Sequence, residues 1–174
     1  MALVVALILL VVVTLVGLAA VSGTLMQQKM SANFYDRQIA FQATEAAMRQ
    51  AALAIEANTA AAPAGYHDCS SASSNVCVSN PFSDSTLSSH ITPIPNGTYD
   101  AGGMAASQPQ YIIQYMGNFQ VPVPDVRQTS CPPGQYGCKT ATQSADFYRI
   151  TARSGDPSQI GGRALVVLQS VFRN

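Results

Sequence analysis

The sequence predicts an α+β protein in which one very long N-terminal helix lies partly on a small antiparallel sheet. Three observations carry this. Residues 1–24, MALVVALILLVVVTLVGLAAVSGT, hold no charged side chain, and the first charge is Lys29. From Leu25 to Asn58 there is neither proline nor glycine, and Ala, Gln, Met, Glu and Arg dominate, all good helix formers. Beyond the opening apolar run, the segments rich in β-branched and aromatic residues fall late in the chain, after residue 110.

The opening run is the first element. An apolar stretch of about 20 residues at 1.5 Å per residue spans the roughly 30 Å hydrocarbon core of a bilayer. A secretory signal would need a basic region ahead of a shorter apolar one, although Ala19-Ala20-Val21-Ser22-Gly23 resembles a small-residue cleavage site. A membrane span is the better reading. It begins in hydrocarbon at Met1 without basic or aromatic flanks, which suits a chain whose basic leader has been removed.

The helix is expected to continue to residue 57, giving one rod about 85 Å long. Phe34, Phe41, Met48 and Ile55 recur every seven residues, with Met30, Ala51 and Ala52 beside them, forming an apolar stripe. Lys29, Asp36, Arg37, Glu45 and Arg49 lie mostly off it, and Glu45/Arg49 is a favourable i,i+4 pair. The stripe is read as helix–sheet packing; a coiled-coil seam would need a second apolar position that is poorly kept here. Ala60-Ala61-Ala62-Pro63-Ala64-Gly65 ends the pattern with two breakers.

Residues 58–108 are rich in Ser, Ala, Asn, Pro and Gly and show no sustained period. The four cysteines form two short-range pairs, Cys69/Cys77 and Cys131/Cys138, which fits an oxidising compartment. Four cysteines allow three connectivities, and the local pairing is expected because short loops find their partners readily. His67, Cys69, Cys77 and His90 match none of the usual zinc spacings, so no metal and no cofactor is expected. Asn96-Gly97 reads as a turn, and with Thr98 it forms a glycosylation sequon.

Strand signals follow. Tyr111–Met116 is aromatic and β-branched, and in Phe119–Val123 the proline at 122 permits an edge strand or none. Phe147–Arg153 alternates between faces, Gly155–Gly162 supplies turns, and Ala164–Phe172 is the last strand. Three or four antiparallel strands crossed by the amphipathic half of the helix bury both apolar faces. The organisation is therefore 1–28 as an apolar transmembrane or filament-core helix, 29–57 as the amphipathic half, and 58–174 as a head with variable loops (58–146) and C-terminal strands (147–173). The apolar half projects free of the head.

Composition narrows the function. Nine basic and nine acidic residues give no net charge, so nucleic acid is not an expected partner. The charged fraction is 10%, against roughly 25% for an average soluble domain. An enzyme would need a constellation, and the only histidines are His67 and His90, with no G-x-S-x-G and no Gly-rich phosphate loop. No catalytic residue is assigned.

The N-terminal run, then Leu25-Met-Gln-Gln-Lys-Met30 and Asp36-Arg37 with Ala40-Phe-Gln-Ala-Thr-Glu-Ala-Ala-Met-Arg49, resemble the PilX family of minor pilins. Phe147–Arg153 and Ala164–Arg173 are similar to that family's C-terminal signature. The resemblance covers both ends of the chain, roughly 1–57 and 147–173. It implies the type IV pilin fold, a leader removed by prepilin peptidase, methylation at Met1, and assembly from the inner membrane into an extracellular pilus of a Gram-negative bacterium. It also implies partnership with other minor and major pilins through the N-terminal helix, and with a PilY-type tip adhesin. Because the family is bacterial, the Asn96 sequon is discounted. Most pilins carry Glu as the fifth mature residue, to pair with a neighbour's terminal amine; here Val5 stands there, and no carboxylate precedes Asp36. That departure suits a subunit entering first, in a tip complex for adhesion or motility. A major pilin, a type II secretion pseudopilin and a bitopic anchor with a periplasmic domain remain the alternatives.

Overall fold

A computed structural model describes residues 1–57, 62–73, 75–100, 107–122 and 142–174. One helix, α1, runs from Ala2 to Ala57 without a break, through Gly17, Ser22 and Gly23. Its side-chain hydroxyls do not compete with it: Thr14, Ser22 and Thr24 donate back to the carbonyls of Val11, Leu18 and Val21 on the preceding turn.

Five strands form a single sheet: β1 (Tyr66–Asp68), β2 (Thr92–Pro93), β3 (Gln110–Pro122), β4 (Thr142–Arg153) and β5 (Val167–Arg173). β3, β4 and β5 make an antiparallel meander, in register Ile113↔Ile150 and Ile150↔Ser170. β1 and β2 share the other edge of β3; β2 is antiparallel, but β1 runs parallel, with Tyr66 opposite Ile113 and Asp68 opposite Tyr115. The sheet is thus mixed rather than wholly antiparallel. The parallel pairing follows from a chain that leaves the helix and enters the sheet in the direction β3 takes later.

Two strand expectations change. Tyr111–Met116 and Phe119–Pro122 belong to one long β3, which passes through a bulge between Tyr115 and Gly117, and Val123 lies outside the described residues. Gly117 has φ +123°, a conformation that L side chains rarely adopt, so glycine fits the bulge. Pro122 ends β3 opposite Thr142, well beyond the stretch at 113–115 that pairs with β1. Its missing N–H therefore costs no ladder bond on that side. The last strand begins at Val167 rather than Ala164.

The sheet is covered on both faces. On one, Ala47, Ala51 and Ile55 of α1 meet Tyr111, Ile113, Ile150 and Ala152, with Ile94 closing the cluster. On the other, the segment after Cys77 crosses the strands as a strap that contains two short 3-10 turns, Pro81–Ser83 and Ser85–His90. The Val78 carbonyl accepts from Gln114 Nε2 (3.3 Å) and Arg149 Nη1 (3.2 Å), and the Ser79 carbonyl from Gln169 Nε2 (3.1 Å). Phe82 lies under the Arg153 guanidinium, 4.4 Å from ring centre, and Pro81 and Leu87 are buried. Burial holds the Arg153 pKa below the usual arginine value, and its Nε donates to Gln110 Oε1 at 2.7 Å.

Candidate functional site

The first feature with functional meaning is how α1 is used. Among the described residues its N-terminal half is exposed throughout: Leu3 is 78% exposed, Val5 57% and Val16 65%. By length and composition this helix can cross a membrane. An apolar surface of this extent is stable only in lipid or against other apolar helices.

Burial begins at Asp36, and the buried face of α1 is made by Ala40, Ala43, Thr44, Ala47, Ala51 and Ile55. This corrects the expected packing stripe. Of its four members only Ile55 is buried; Met48 is half-buried against the core, Phe41 is 43% exposed and Phe34 73%. The heptad positions flank the seam, and small residues fill it. Alanine lets the helix axis approach the sheet closely, so the bulk at the seam comes from Tyr111, Ile113 and Ile150 on the strands. Alanine carries no periodic signal that a search for large apolar residues would find.

The seam is locked by polar contacts to the chain just before β5. The Ala164 N–H donates to Asp36 Oδ2 at 2.6 Å. Thr44 Oγ1, fully buried, donates to the Ala40 carbonyl at 2.8 Å and reaches the Val166 carbonyl at 3.3 Å. Ser154 binds both polar groups of Val166: its N–H donates to the Val166 carbonyl, and its Oγ accepts from the Val166 N–H. These bonds occupy residues 164–166 and explain why β5 starts later than its composition suggests.

Cys69 and Cys77 are joined as a disulfide, and the Cys69 N–H donates to the Tyr115 carbonyl, which ties the root of the strap to β3. Cys131 and Cys138 lie outside the described residues. His67 and His90 do come together, edge to face at 5.2 Å between ring centres. The two sulfurs that would complete a metal set are bonded to each other, and among the described residues no group of three or more His, Cys, Asp or Glu is placed to hold a metal. Asn96-Gly97 forms the expected turn, with Gly97 at φ +90° and the Thr98 N–H donating to the Pro95 carbonyl.

A second surface was not foreseen. On the helix side of the sheet, at the end away from Asp36, Tyr66, Tyr115 and Tyr148 stand side by side on β1, β3 and β4, with ring centres 6.1 Å and 5.2 Å apart. Tyr115 Oη donates to Asp146 Oδ1 at 2.8 Å, and Asn118 Nδ2 donates to the same oxygen at 3.0 Å. Asp146 shares the face of Tyr148 by strand alternation, and the bulge in β3 restores Asn118 to that same face. Desolvation, then Asp68, pushes the Tyr66 pKa up to about 12. Burial and the bond to Asp146 raise Tyr115 further, and burial followed by Asp146 raises Tyr148. Only scattered aromatic residues marked this cluster in the sequence, because three strands far apart in the chain build it.

A continuous helix that is bare and apolar for half its length, and seated on a small sheet for the rest, defines a pilin-type filament subunit. Family models place it further. The PilX N-terminal model matches residues 1–49, and the model of the type IV pilus assembly protein PilX C-terminal region matches 53–174, so the chain belongs to the PilX family of type IV pilus assembly proteins. No curated protein and no solved structure matches it. The family is a structural one, and its members interact with other components of the pilus.

Proposed function

We propose that the protein is a minor pilin that primes filament assembly, resides in the inner membrane of a Gram-negative bacterium before incorporation, and then sits in the complex at the pilus tip. The observation that carries this reading is the bare stalk. From Leu3 to Val21 every large apolar side chain of α1 is exposed, so the subunit is completed by lipid first and by neighbouring pilin helices afterwards. Val5 supports the initiating role. A carboxylate among apolar helices is costly unless paired, so the Glu that most pilins carry at this position is useful where a neighbour's terminal amine awaits it. A first subunit has no such neighbour. A PilY-type adhesin is the partner this position implies.

Deletion of the gene is expected to lower the number of pili per cell while leaving their length unchanged, with immunogold label on filament ends. Label spaced along the shaft would assign the protein to the shaft instead, as a major or interspersed pilin. Absence from sheared pili would return it to the membrane-anchored alternative.

A further inference from the structure

The tyrosine face lies at the rim of the core, where Tyr66 and Tyr148 pack against the apolar cluster by one side. Tyr66, Asp68, Tyr115, Asp146 and Tyr148 are each half-buried, so part of each stays accessible among the described residues. Asp68 shares the face with Tyr115, its register partner, and Asp146 occupies the same face two strands away. The two carboxylates stand two strand spacings apart across the sheet and two residues apart along it, about 12 Å, with Tyr115 on the strand between them. Among the described residues, the two arginines on neighbouring strand positions point to the other face. Arg149 donates to the Val78 carbonyl on the strap side, and Arg173, opposite Phe147, alternates to that side as well. The face is thus both aromatic and negative. Ring faces attract cations through their quadrupole, and carboxylates add direct attraction.

We propose that Tyr66, Tyr115 and Tyr148, with Asp68 and Asp146, form a docking face for a basic segment of a partner protein, one that presents two or more lysine or arginine side chains. Charge complementarity selects this occupant. The spacing of the carboxylates selects a polyvalent one, since a single ammonium can meet only one carboxylate at a time whereas linked cations meet both. Asp146 and Asp68 are already held in place, the first by Tyr115 and Asn118, the second through Oδ1 by the Ser70 N–H at 2.9 Å. The site is accordingly pre-arranged, and binding orders little of it. The inference is independent of where in a pilus the subunit sits.

The test uses the full chain in nonionic detergent with a hexalysine peptide as probe. The protein has seven tyrosines and no tryptophan, and three of the seven make the face, so tyrosine emission carries its signal. A saturable change that weakens with added salt is expected. The double variant Asp68→Asn/Asp146→Asn keeps both acceptor oxygens and removes both charges, and should bind at least about fivefold more weakly. Glu45→Gln/Glu56→Gln, the same loss of charge on exposed positions of α1, should bind as the parent does. Tyr66→Leu, with both carboxylates intact, should also weaken binding. Equal weakening in the two charge variants, no weakening in the first, or no saturable binding by the parent would each overturn the proposal. Near-UV circular dichroism matching the parent keeps a folding defect from mimicking the expected loss.

Discussion

Asp36 and Ala164, 128 positions apart, are joined by a hydrogen bond of 2.6 Å from the Ala164 N–H to Asp36 Oδ2. Asp36 is the first carboxylate of the chain and stands at the first position of α1 that is not fully exposed. It therefore marks where the stalk ends and the seated helix begins. A charge-assisted bond to a backbone N–H contributes about 1.5–3 kcal/mol when dry and less when half-exposed. Asp36→Ala is expected to lower the stability of the full chain in detergent by about 1–2 kcal/mol, and Asp36→Asn, which keeps an acceptor, by less. Equal losses in both would mean that the neutral acceptor alone contributes nothing and that the carboxylate's charge carries the whole effect.

The seam itself gives a contrast between two sites on one helix. Ala47 is fully buried against the sheet, and extra methylenes in a packed interior cost typically 1–3 kcal/mol. Ala47→Leu should destabilise the head by about that amount, whereas Phe34→Ala, removing a far larger side chain from an exposed site, should stay within about 0.5 kcal/mol. Urea unfolding followed by near-UV circular dichroism compares them. A larger effect at Phe34 would reinstate the heptad stripe as the packing face.

The strap offers a third measurement. The Cys69–Cys77 bond links residues eight apart and roots the segment that buries Pro81 and Leu87 over the sheet. Closing a loop this short lowers the entropy of the unfolded chain by an amount equivalent to roughly 2–3 kcal/mol. Cys69→Ser/Cys77→Ser should lose about that much, with proteolysis near Phe82 appearing before any cut in β4. Simultaneous cleavage at both places would mean that strap and sheet unfold as one unit.

The parts of this fold that were legible in the sequence share a physical cause. The helix announces itself through composition and the absence of breakers from Leu25 to Asn58, and Phe147–Arg153 through alternation, both signals that accumulate locally. The unread parts depend on distant partners. β1 has only three residues, and its parallel pairing with Ile113–Tyr115 is decided by where the chain re-enters the sheet. Residues 164–166 have strand composition, yet Asp36, Thr44 and Ser154 claim their backbone groups. The place of Asn118 on the tyrosine face required the bulge at Gly117, since without it Asn118 would fall out of step with Tyr115. A single glycine gives little warning of that.

The same tyrosines make stability depend on alkaline pH. In the folded chain the Tyr66 pKa is raised from 10.0 to about 12, by burial first and by Asp68 next. Tyr99, Tyr111, Tyr115 and Tyr148 are displaced in the same direction. A raised folded value means that the native state holds its proton where the unfolded state has released it. Stability is then complete below the unfolded value of 10.0 and declines as pH rises through the window to about 12. Unfolding midpoints measured across that window should fall steadily for the parent. Tyr66→Phe, which cannot ionise, should fall less steeply over the same range, because one of the contributing protons is gone. Asp68→Asn should also flatten the decline, more weakly, since the carboxylate is the second of the causes. Should Tyr66→Phe follow the parent curve point for point, Tyr66 would be titrating as an ordinary exposed phenol, and the negative, half-desolvated character assigned to this face would be wrong.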